Sequence, residues 1–324
     1  MKIHYPDPAQ LHAGLSAMRT IMDAKGGASP AQEEVLEVFQ RFFGTQHAPA
    51  TQHDIRRLRS ITPEALSQAI QPETLRAQII NGMILICLID GKAHPAETAQ
   101  INEYAAAFGI RPRSLTDLKK LEGGRMKLLR LDLMRRSWMV AKIREGVLPR
   151  EGILGAFRSL RGLRGKYKNR EVERRFRNLK SYPDGTLGRA YWEFCTNNQL
   201  AFPGEKTSLP EVMACHDCAH ILGGYGTSME EELLILGFTA GFMNEDPGRS
   251  LMFGLLQWQM GVPIAAVAAG QTDLFDVEKF LRAADRGSAM AQNLNDPDWD
   301  MWGAFKEQVL DLRVRYNVLP RRDH

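Results

Sequence analysis

The chain has 324 residues, a formal net charge of +4 and 44% hydrophobic residues, which suffices for two domains with separate cores. Its four cysteines, Cys87, Cys195, Cys215 and Cys218, are too few and too unevenly spaced for a disulfide framework, so a reducing compartment is favoured. The beginning lacks an apolar signal segment, and no stretch reaches the about 18 apolar residues that cross a bilayer. We expect a cytoplasmic protein, peripheral to the inner membrane.

Long segments with a helical period, separated by short Gly, Pro and Asp breaks, predict an all-α protein. We divide it into helical domains 1–122 and 181–320, joined by a basic helical connector, 123–180, that packs with the C-terminal domain. The predicted helices cover residues 8–25, 31–43, 63–70, 74–89, 95–107, 125–145, 151–180, 186–196, 209–222, 229–244, 249–261, 274–286 and 301–316.

In the first domain, segment 78–89 is apolar on most sides, which predicts a central helix. Asp90-Gly91 follows, with Gly91 as a helix stop and Glu97 near the start of the next helix. This stretch resembles the acidic loop of tellurite-resistance TerB-like domains, small helical bundles linked to metal binding. The resemblance spans residues 8–122. Only Asp90 and Glu97 match the acidic residues of that family's loop. We favour a helix stop and cap over a bound ion.

Positive charge is concentrated in residues 111–180, which hold 22 Lys/Arg and 7 Asp/Glu, a net charge of +15, while the remainder carries −11. In segment 125–145, apolar residues lie among the basic ones, so the predicted helix has an apolar side and a basic side, as do helices that lie on anionic leaflets. We expect residues 125–180 to bind such a leaflet. A solvated face packed against the acidic remainder is the alternative. We do not expect nucleic acid as a partner, since Tyr167 and Phe176 are the only aromatic residues of the second basic run, 158–180.

The motif that carries chemistry is H-D-x-x-H followed, after eleven intervening residues, by a glutamate. In a helix over 209–222, His216, Asp217 and His220 fall within one arc of roughly 100°. Two imidazoles with one or two carboxylates are the usual ligands of a catalytic divalent ion. The sequence therefore predicts a catalytic metal site of His216, Asp217, His220 and Glu232, with Asp217 as fourth ligand or as a support behind the ligands.

The connection between the two motif helices has its own signals. Gly223-Gly224 is predicted to end the first helix, because glycine adopts the left-handed stop conformation without a penalty. Ser228 is predicted to cap the second helix, with Glu231 closing a capping box. Glu232 is then free to turn back toward the histidines.

Cys215 and Cys218 form a C-x-x-C pair, which also occurs in closed zinc sites. On the same helical wheel both cysteines lie about 150° from the centre of the His/Asp arc, so the two groups cannot bind one ion. We interpret the cysteines as small buried apolar residues. A hydrogen-bonded histidine pair without an ion is the remaining alternative for His216 and His220.

Two motifs in the same order, G-T-L-G-R-A-Y over 185–191 and the H-D-x-x-H run, resemble the Coq-four family of ubiquinone biosynthesis proteins. The closing pattern, with Arg286-Gly287, two tryptophans and the run 311–318, is similar to that family too. The resemblance covers residues 181–320. It implies a helical fold, peripheral membrane association and a divalent ion, zinc in many descriptions, held by His216, Asp217, His220 and Glu232.

The resemblance also implies the reaction: (oxidative) removal of the C1 carboxylate from a polyprenylated hydroxybenzoate-type ring precursor. A divalent ion can hold a phenolate or carboxylate oxygen as a Lewis acid, and a dry apolar wall disfavours the charged carboxylate. Apolar residues within 233–243, 251–260 and 262–269 supply either such a wall or ordinary core. The N-terminal domain and the two cysteines depart from the family, which leaves the identity of the ring acid open.

Two further functions stay open. In a zincin-like hydrolase, Asp217 takes the place of the general base of H-E-x-x-H, although aspartate is one methylene shorter and cannot be ligand and free base at once. In a non-catalytic lipid-binding scaffold of a quinone biosynthesis complex, the ion only stabilises the fold. The expected partners are a prenylated aromatic acid or quinone precursor, an anionic membrane surface, other quinone biosynthesis enzymes and a second copy of the chain.

Overall fold

The computed structural model describes residues 2–44, 55–162, 168–243, 247–264 and 270–321. Within these ranges the chain forms helices and turns with two isolated backbone bridges and no strand, which confirms the all-α prediction. By packing, it divides into two compact units, each of which draws on two parts of the sequence. We call them the N-terminal unit, mainly 3–133 and 246–281, and the C-terminal unit, mainly 134–245 and 282–324.

The helices follow in chain order. The first seven are α1 Pro8–Asp23, α2 Pro30–Gly44, α3 Pro63–Ala69, α4 Glu73–Leu88, α5 Pro95–Ala107, α6 Arg113–Glu122 and α7 Met126–Arg135. The next six are α8 Trp138–Lys142, α9 Leu148–Gly162, α10 Arg170–Arg177, α11 Leu187–Asn197, α12 Ala214–Gly223 and α13 Met229–Phe242. The last four are α14 Pro247–Gly254, α15 Val277–Ser288, α16 Met301–Ala304 and α17 Val309–Arg315. Two π-helical segments, Ile143–Val147 and Leu255–Gln259, follow α8 and α14.

Helix α4 lies at the centre of the N-terminal unit. Every residue from 79 to 88 is buried, because α4 is apolar around its circumference and α1, α2, α5, α6 and α14 pack around it. The predicted central helix is confirmed. After α14, the side chain of Gln259 donates to the backbone carbonyl of Ile89 at 2.7 Å. Residues 246–281 therefore pack in the N-terminal unit, whereas the domain division 1–122, 123–180 and 181–320 follows sequence resemblance and stays a prediction.

The C-terminal unit has one main core, formed by α11, α12, α13 and the closing segment 290–318. Thr186 caps α11, its hydroxyl accepting from the amide of Arg189 at 3.3 Å. Gly188 donates its amide to Phe305 at 2.9 Å, and a Cβ on Gly188 would lie 2.9 Å from that same carbonyl oxygen. Gly188 therefore stands where α11 and the backbone of Phe305 approach each other closely.

Three predicted helices are each interrupted. The helix predicted over 125–145 breaks before α8, because the Ser137 hydroxyl caps α8 by accepting from the amide of Val140. The helix predicted over 151–180 is divided between α9 and α10, and residues 163–167 lie outside the described ranges. The segment 301–316 contains α16 and α17 as separate helices, since the amide of Val309 after the break donates to Gly185. Helix α6 was not predicted, because charged residues dominate its sequence.

The most apolar helices are α4 and α13, and most of their residues are buried. Across the described parts of the chain, no helix is both long and apolar enough to cross a membrane. Most of the residues proposed for an apolar wall, within 233–243 and 251–260, are buried, and residues 265–269 lie outside the described ranges. The core interpretation of these segments therefore holds for most of their residues.

Candidate metal centre

Helix α12 carries both histidines of the motif. It follows a short 3-10 turn, Glu211–Met213, and ends at Gly224, whose φ of 70° is in the left-handed region. The amide of Tyr225 then returns to the carbonyl of His220 at 2.9 Å. The predicted glycine stop is confirmed, and His216 and His220, four positions apart, share one face of α12.

Helix α13 supplies the carboxylate. Its N-cap is Ser228, whose hydroxyl accepts from the amide of Glu231 at 3.3 Å, as predicted. The carboxylate of Glu231 does not close a capping box: it accepts from the amide of Gly226 at 2.9 Å and pairs with Arg321 at 2.6 Å. Glu232, one position later, turns toward α12.

His216, His220 and Glu232 bring their ligand atoms together. The two Nε2 atoms lie 3.2 Å apart, and the Glu232 oxygens lie 3.6 Å from His216 Nε2 and 3.5 Å from His220 Nε2. One ligand atom from each residue lies within 4.8 Å of the others. Neighbouring ligands of a tetrahedral ion, each bonded at about 2.0–2.1 Å, are roughly 3.3–3.4 Å apart. Donor types and spacing therefore fit a zinc-like divalent ion.

The group is closed on one side and open on the other. His220 has a side chain only 2% exposed, whereas the side chains of His216 and Glu232 are 25% and 32% exposed. Catalytic zinc sites have three protein ligands and leave a further position to water or substrate. The exposure of His216 and Glu232 fits that type rather than a closed structural site.

In the absence of an ion, the electrostatics favour the protonation state of a metal ligand at His220 and Glu232, whereas His216 is paired with the Glu232 carboxylate. Burial, together with the neighbouring His216, lowers the pKa of His220 to about 4, so its imidazole is neutral near pH 7. Burial lowers the pKa of His216, but contact with the Glu232 carboxylate outweighs burial and the net direction is upward. Burial raises the pKa of Glu232, but His216 outweighs it and the net direction is downward. Glu232 is therefore ionised, as a carboxylate ligand must be.

Asp217, the fourth residue of the predicted set, does not join this group. Its Oδ2 accepts a hydrogen bond of 2.8 Å from the hydroxyl of Tyr191, a fully buried residue of α11. Burial raises the pKa of Asp217, against the opposing effects of His216 and of the tyrosine hydrogen bond. This position matches a support that anchors α12 to α11. A role for Asp217 as a ligand stays a prediction.

Two aromatic rings flank the imidazoles. The ring of Trp138 stacks on that of His216 with centroids 6.1 Å apart, and the ring of Phe194 lies 5.4 Å from that of His220. The sequence by itself does not mark Trp138 or Phe194 as neighbours of the histidines. Both residues are recognisably aromatic in the sequence, but neither stands at a regular spacing from the H-D-x-x-H motif.

Two arginines, one in α15 and one in α17, donate hydrogen bonds to the end of α12. Arg286 donates to the carbonyl of Gly223 at 2.7 Å, and Arg313 donates to the carbonyls of Leu222 and Ile221, both at 3.0 Å. Cations are favourable at a helix C-terminus, where carbonyl groups lack partners within the helix. The closing R-G…L-R pattern thus has a physical role here, which the sequence alone did not indicate.

The cysteines behave as predicted. Cys215 and Cys218 are buried and free, and neither belongs to the His216, His220 and Glu232 group. Cys218 lies in the core of the C-terminal unit. The Cys215 Sγ lies 3.1 Å from the Lys142 Nζ, on another side of α12 from the histidine pair.

The second metal candidate is the pair Asp90 and Glu97 in the N-terminal unit. A lysine side chain lies beside both carboxylates. The ammonium of Lys25 lies 2.6 Å from Asp90 and 3.4 Å from Glu97. Glu97 also accepts a hydrogen bond of 2.7 Å from the side chain of Gln32. Helix α4 ends just before Gly91, so the helix-stop interpretation is confirmed.

Comparison with known proteins shows no match to a family model, a curated protein or a solved structure. The two family resemblances are therefore supported by their sequence motifs alone. The candidate metal site is supported by the distances among His216, His220 and Glu232.

Proposed function

We propose that His216, His220 and Glu232 bind one divalent ion, with zinc as the expected metal, and that the protein is a metal-dependent decarboxylase of quinone biosynthesis. Its substrate would be a polyprenylated hydroxybenzoate-type acid that loses its C1 carboxylate. The convergence of the three ligand atoms within 4.8 Å carries the proposal. The substrate class comes from the resemblance to the Coq-four family.

The ion, when bound, supplies a Lewis acid that polarises a phenolate or carboxylate oxygen. The neutral imidazole of His220 and the ionised Glu232 are suited to hold it. Trp138 is partly exposed and stacks on His216, so it offers a flat apolar surface beside the ligands. An aromatic ring can stack on such a surface in an offset or edge-to-face arrangement.

The position of Asp217 supports decarboxylation over zincin-like hydrolysis. A hydrolase of that type needs a carboxylate near the ion to activate water. Asp217 instead accepts the hydrogen bond from Tyr191 on α11. The exposure of His216 and Glu232 likewise supports a catalytic ion over a purely structural one, which is usually closed by four protein ligands.

The direct test is release of labelled carbon dioxide from a C1-carboxylated, prenylated hydroxybenzoate by the purified protein. We expect Glu232→Gln to lose the metal and to slow release at least about a hundredfold, because it removes a charged ligand but keeps the shape. Glu230→Gln is the matched control, since Glu230 is an exposed residue of the same helix turn outside the metal group. Release at the normal rate by metal-free Glu232→Gln contradicts a catalytic ion and favours the scaffold.

A cellular test addresses the pathway. In an organism that makes a prenylated quinone, deletion of the gene should lower the quinone and accumulate a ring precursor that still carries its C1 carboxylate. Normal quinone levels after deletion contradict the pathway assignment. Normal levels restored by metal-free Glu232→Gln instead support a lipid-binding scaffold.

A further inference from the structure

Helix α9 exposes a row of apolar side chains. Ile153, Leu154, Phe157 and Leu160 are 83%, 60%, 55% and 45% exposed. They stand at positions i, i+1, i+4 and i+7, so they lie on one face of the helix. We call these four residues the α9 face. Large apolar side chains grouped in this way on a surface mark a site of interaction.

The backbone sets this face apart from the start of α9. Gly152 has φ 68° and ψ −170°, a conformation that is open essentially to glycine alone, and it breaks the helix between Leu148 and Ile153. The residues after Gly152 form a separate helical stretch that ends at Gly162. The α9 face lies entirely on this stretch.

The sequence of and next to α9 is rich in positive charge. Residues 148–170 contain seven Lys/Arg and one Asp/Glu. Among the described residues of this segment, Arg150, Arg161, Lys168 and Arg170 are exposed, and two of them form ion pairs, Arg150 with Asp298 and Lys168 with Glu173. An amphipathic helix with apolar side chains on one face and basic residues beside them is the pattern of segments that lie in the surface of a bilayer. Anionic lipid attracts the basic residues, and salt screens that attraction.

We propose that the α9 face binds the surface of an anionic lipid bilayer and inserts its apolar side chains at the boundary between headgroups and acyl chains. Four side chains on one helix offer less area than the roughly 800 Å² per partner that a stable protein interface buries. Shallow insertion into lipid needs no such area, and the surrounding positive charge matches an anionic leaflet. The proposal does not depend on the metal chemistry.

This assignment narrows the prediction from the sequence, which gives the whole basic segment 125–180 as the part that contacts lipid. In α7, Leu129 and Leu133 are buried, whereas Leu128 and Leu131 are 56% and 67% exposed, so α7 offers two apolar side chains against the four of the α9 face. The ammonium of Lys142 points inward, 3.2 Å from the carbonyl of Leu294 and close to Cys215. Within the predicted segment 125–180 we therefore assign the lipid contact to the α9 face, which has the larger group of exposed apolar side chains.

Flotation of the full chain with vesicles tests the proposal. Wild type should float with vesicles of phosphatidylcholine and phosphatidylglycerol, less in about 0.5 M than in about 0.1 M NaCl, and poorly with phosphatidylcholine alone. Phe157→Asp should weaken anionic-vesicle binding at least about tenfold, because a charge replaces an inserted ring. Val314→Asp is the control: Val314 is 83% exposed on α17 and should float like wild type.

A second readout guards against a folding defect in the aspartate variant. The emission of Phe157→Trp should shift to shorter wavelength with anionic vesicles, as an inserted indole leaves water. His220→Ala should float like wild type, which separates this inference from the metal proposal. Unchanged flotation of Phe157→Asp overturns the proposal. So does a dimeric wild type that ignores vesicles and becomes monomeric on Phe157→Asp, since the face would then join two copies.

Discussion

The protein has two acidic groups that the sequence marks as metal candidates, one in each unit, and they differ in what lies opposite the carboxylates. In the N-terminal unit, Lys25 places its ammonium 2.6 Å from Asp90 and 3.4 Å from Glu97. In the C-terminal unit, Glu232 faces the imidazoles of His216 and His220. The chain supplies its own cation in the first group, whereas two nitrogen ligands converge with the carboxylate in the second.

Exposure separates the two groups as well. The side chain of Glu97 is 1% exposed, and it is held by Lys25 and Gln32. The side chain of Glu232 is 32% exposed, so an ion can reach it. Acidic residues after a helix therefore do not identify a metal site by themselves. The partner across from them decides whether the carboxylate holds an ion or stabilises the fold.

The largest expected effect is loss of the metal. Purified wild type should carry about one divalent ion per chain, and His220→Ala should carry less than about a tenth of that, because a buried ligand is removed. Elemental analysis measures this directly. Asp90→Asn and Cys218→Ala should keep the metal. Full occupancy in His220→Ala, or loss of metal in Cys218→Ala, means that the ligands are not those proposed.

The next largest effect is on stability, and it concerns the lysine beside Asp90 and Glu97 in the N-terminal unit. Lys25→Met leaves Asp90 and the buried Glu97 without their cation, and we expect the free energy of unfolding to fall by about 3 kcal/mol. Urea denaturation measures it. In a His220→Ala background, millimolar calcium should stabilise Lys25→Met but not its parent, since an external ion can replace the ammonium. An unchanged urea midpoint in Lys25→Met rules out the lysine as the internal cation.

A smaller effect concerns the support of α12. Arg313→Gln removes a charged donor from the carbonyls of Leu222 and Ile221, and we expect a loss of about 2 kcal/mol in unfolding free energy. Metal content should remain, because no ligand is changed. Arg315→Gln is a control, since Arg315 is an arginine of the same helix that pairs with Glu307 on the surface. Equal stabilities of the two variants contradict the capping role of Arg313.

The smallest expected effect concerns Glu231, the carboxylate next to Glu232 in the sequence. Arg321 lowers the pKa of Glu231 against the opposing effect of burial. A lowered folded-state pKa means that the stabilisation is present above the unfolded pKa of about 4.3 and is lost as the pH falls through the folded pKa. Glu231→Gln should therefore cost about 1 kcal/mol at pH 7 and almost nothing near pH 3, with the metal retained at pH 7. A cost that persists at pH 3 contradicts the ion-pair origin.

Much of the metal group is predictable because its parts are local in sequence. The spacing of His216 and His220 puts them on one face of a helix, and the glycine stop with the Ser228 cap begins the next helix at once. Glu232 follows in the first turn of that helix. All three candidate ligands lie on two consecutive helices, so helical periodicity and turn chemistry suffice to bring them together.

Helix boundaries were predictable only in part. The breaks at Ser137 and between α16 and α17 depend on a cap and on a backbone contact with Gly185, which hydrophobic periodicity does not report. The packing of 246–281 in the N-terminal unit was also hidden, since an apolar helix fits any core.

By itself, the sequence determined the all-α class, the central α4, the helix pair of the metal group and the exclusion of the cysteines from it. Only the tertiary structure decided that Asp217 meets Tyr191, that Lys25 neutralises Asp90 and Glu97, and that Arg286 holds the end of α12. The physical reason is separation along the chain. Periodicity states which residues share a helix face, but it does not state which other helix that face contacts.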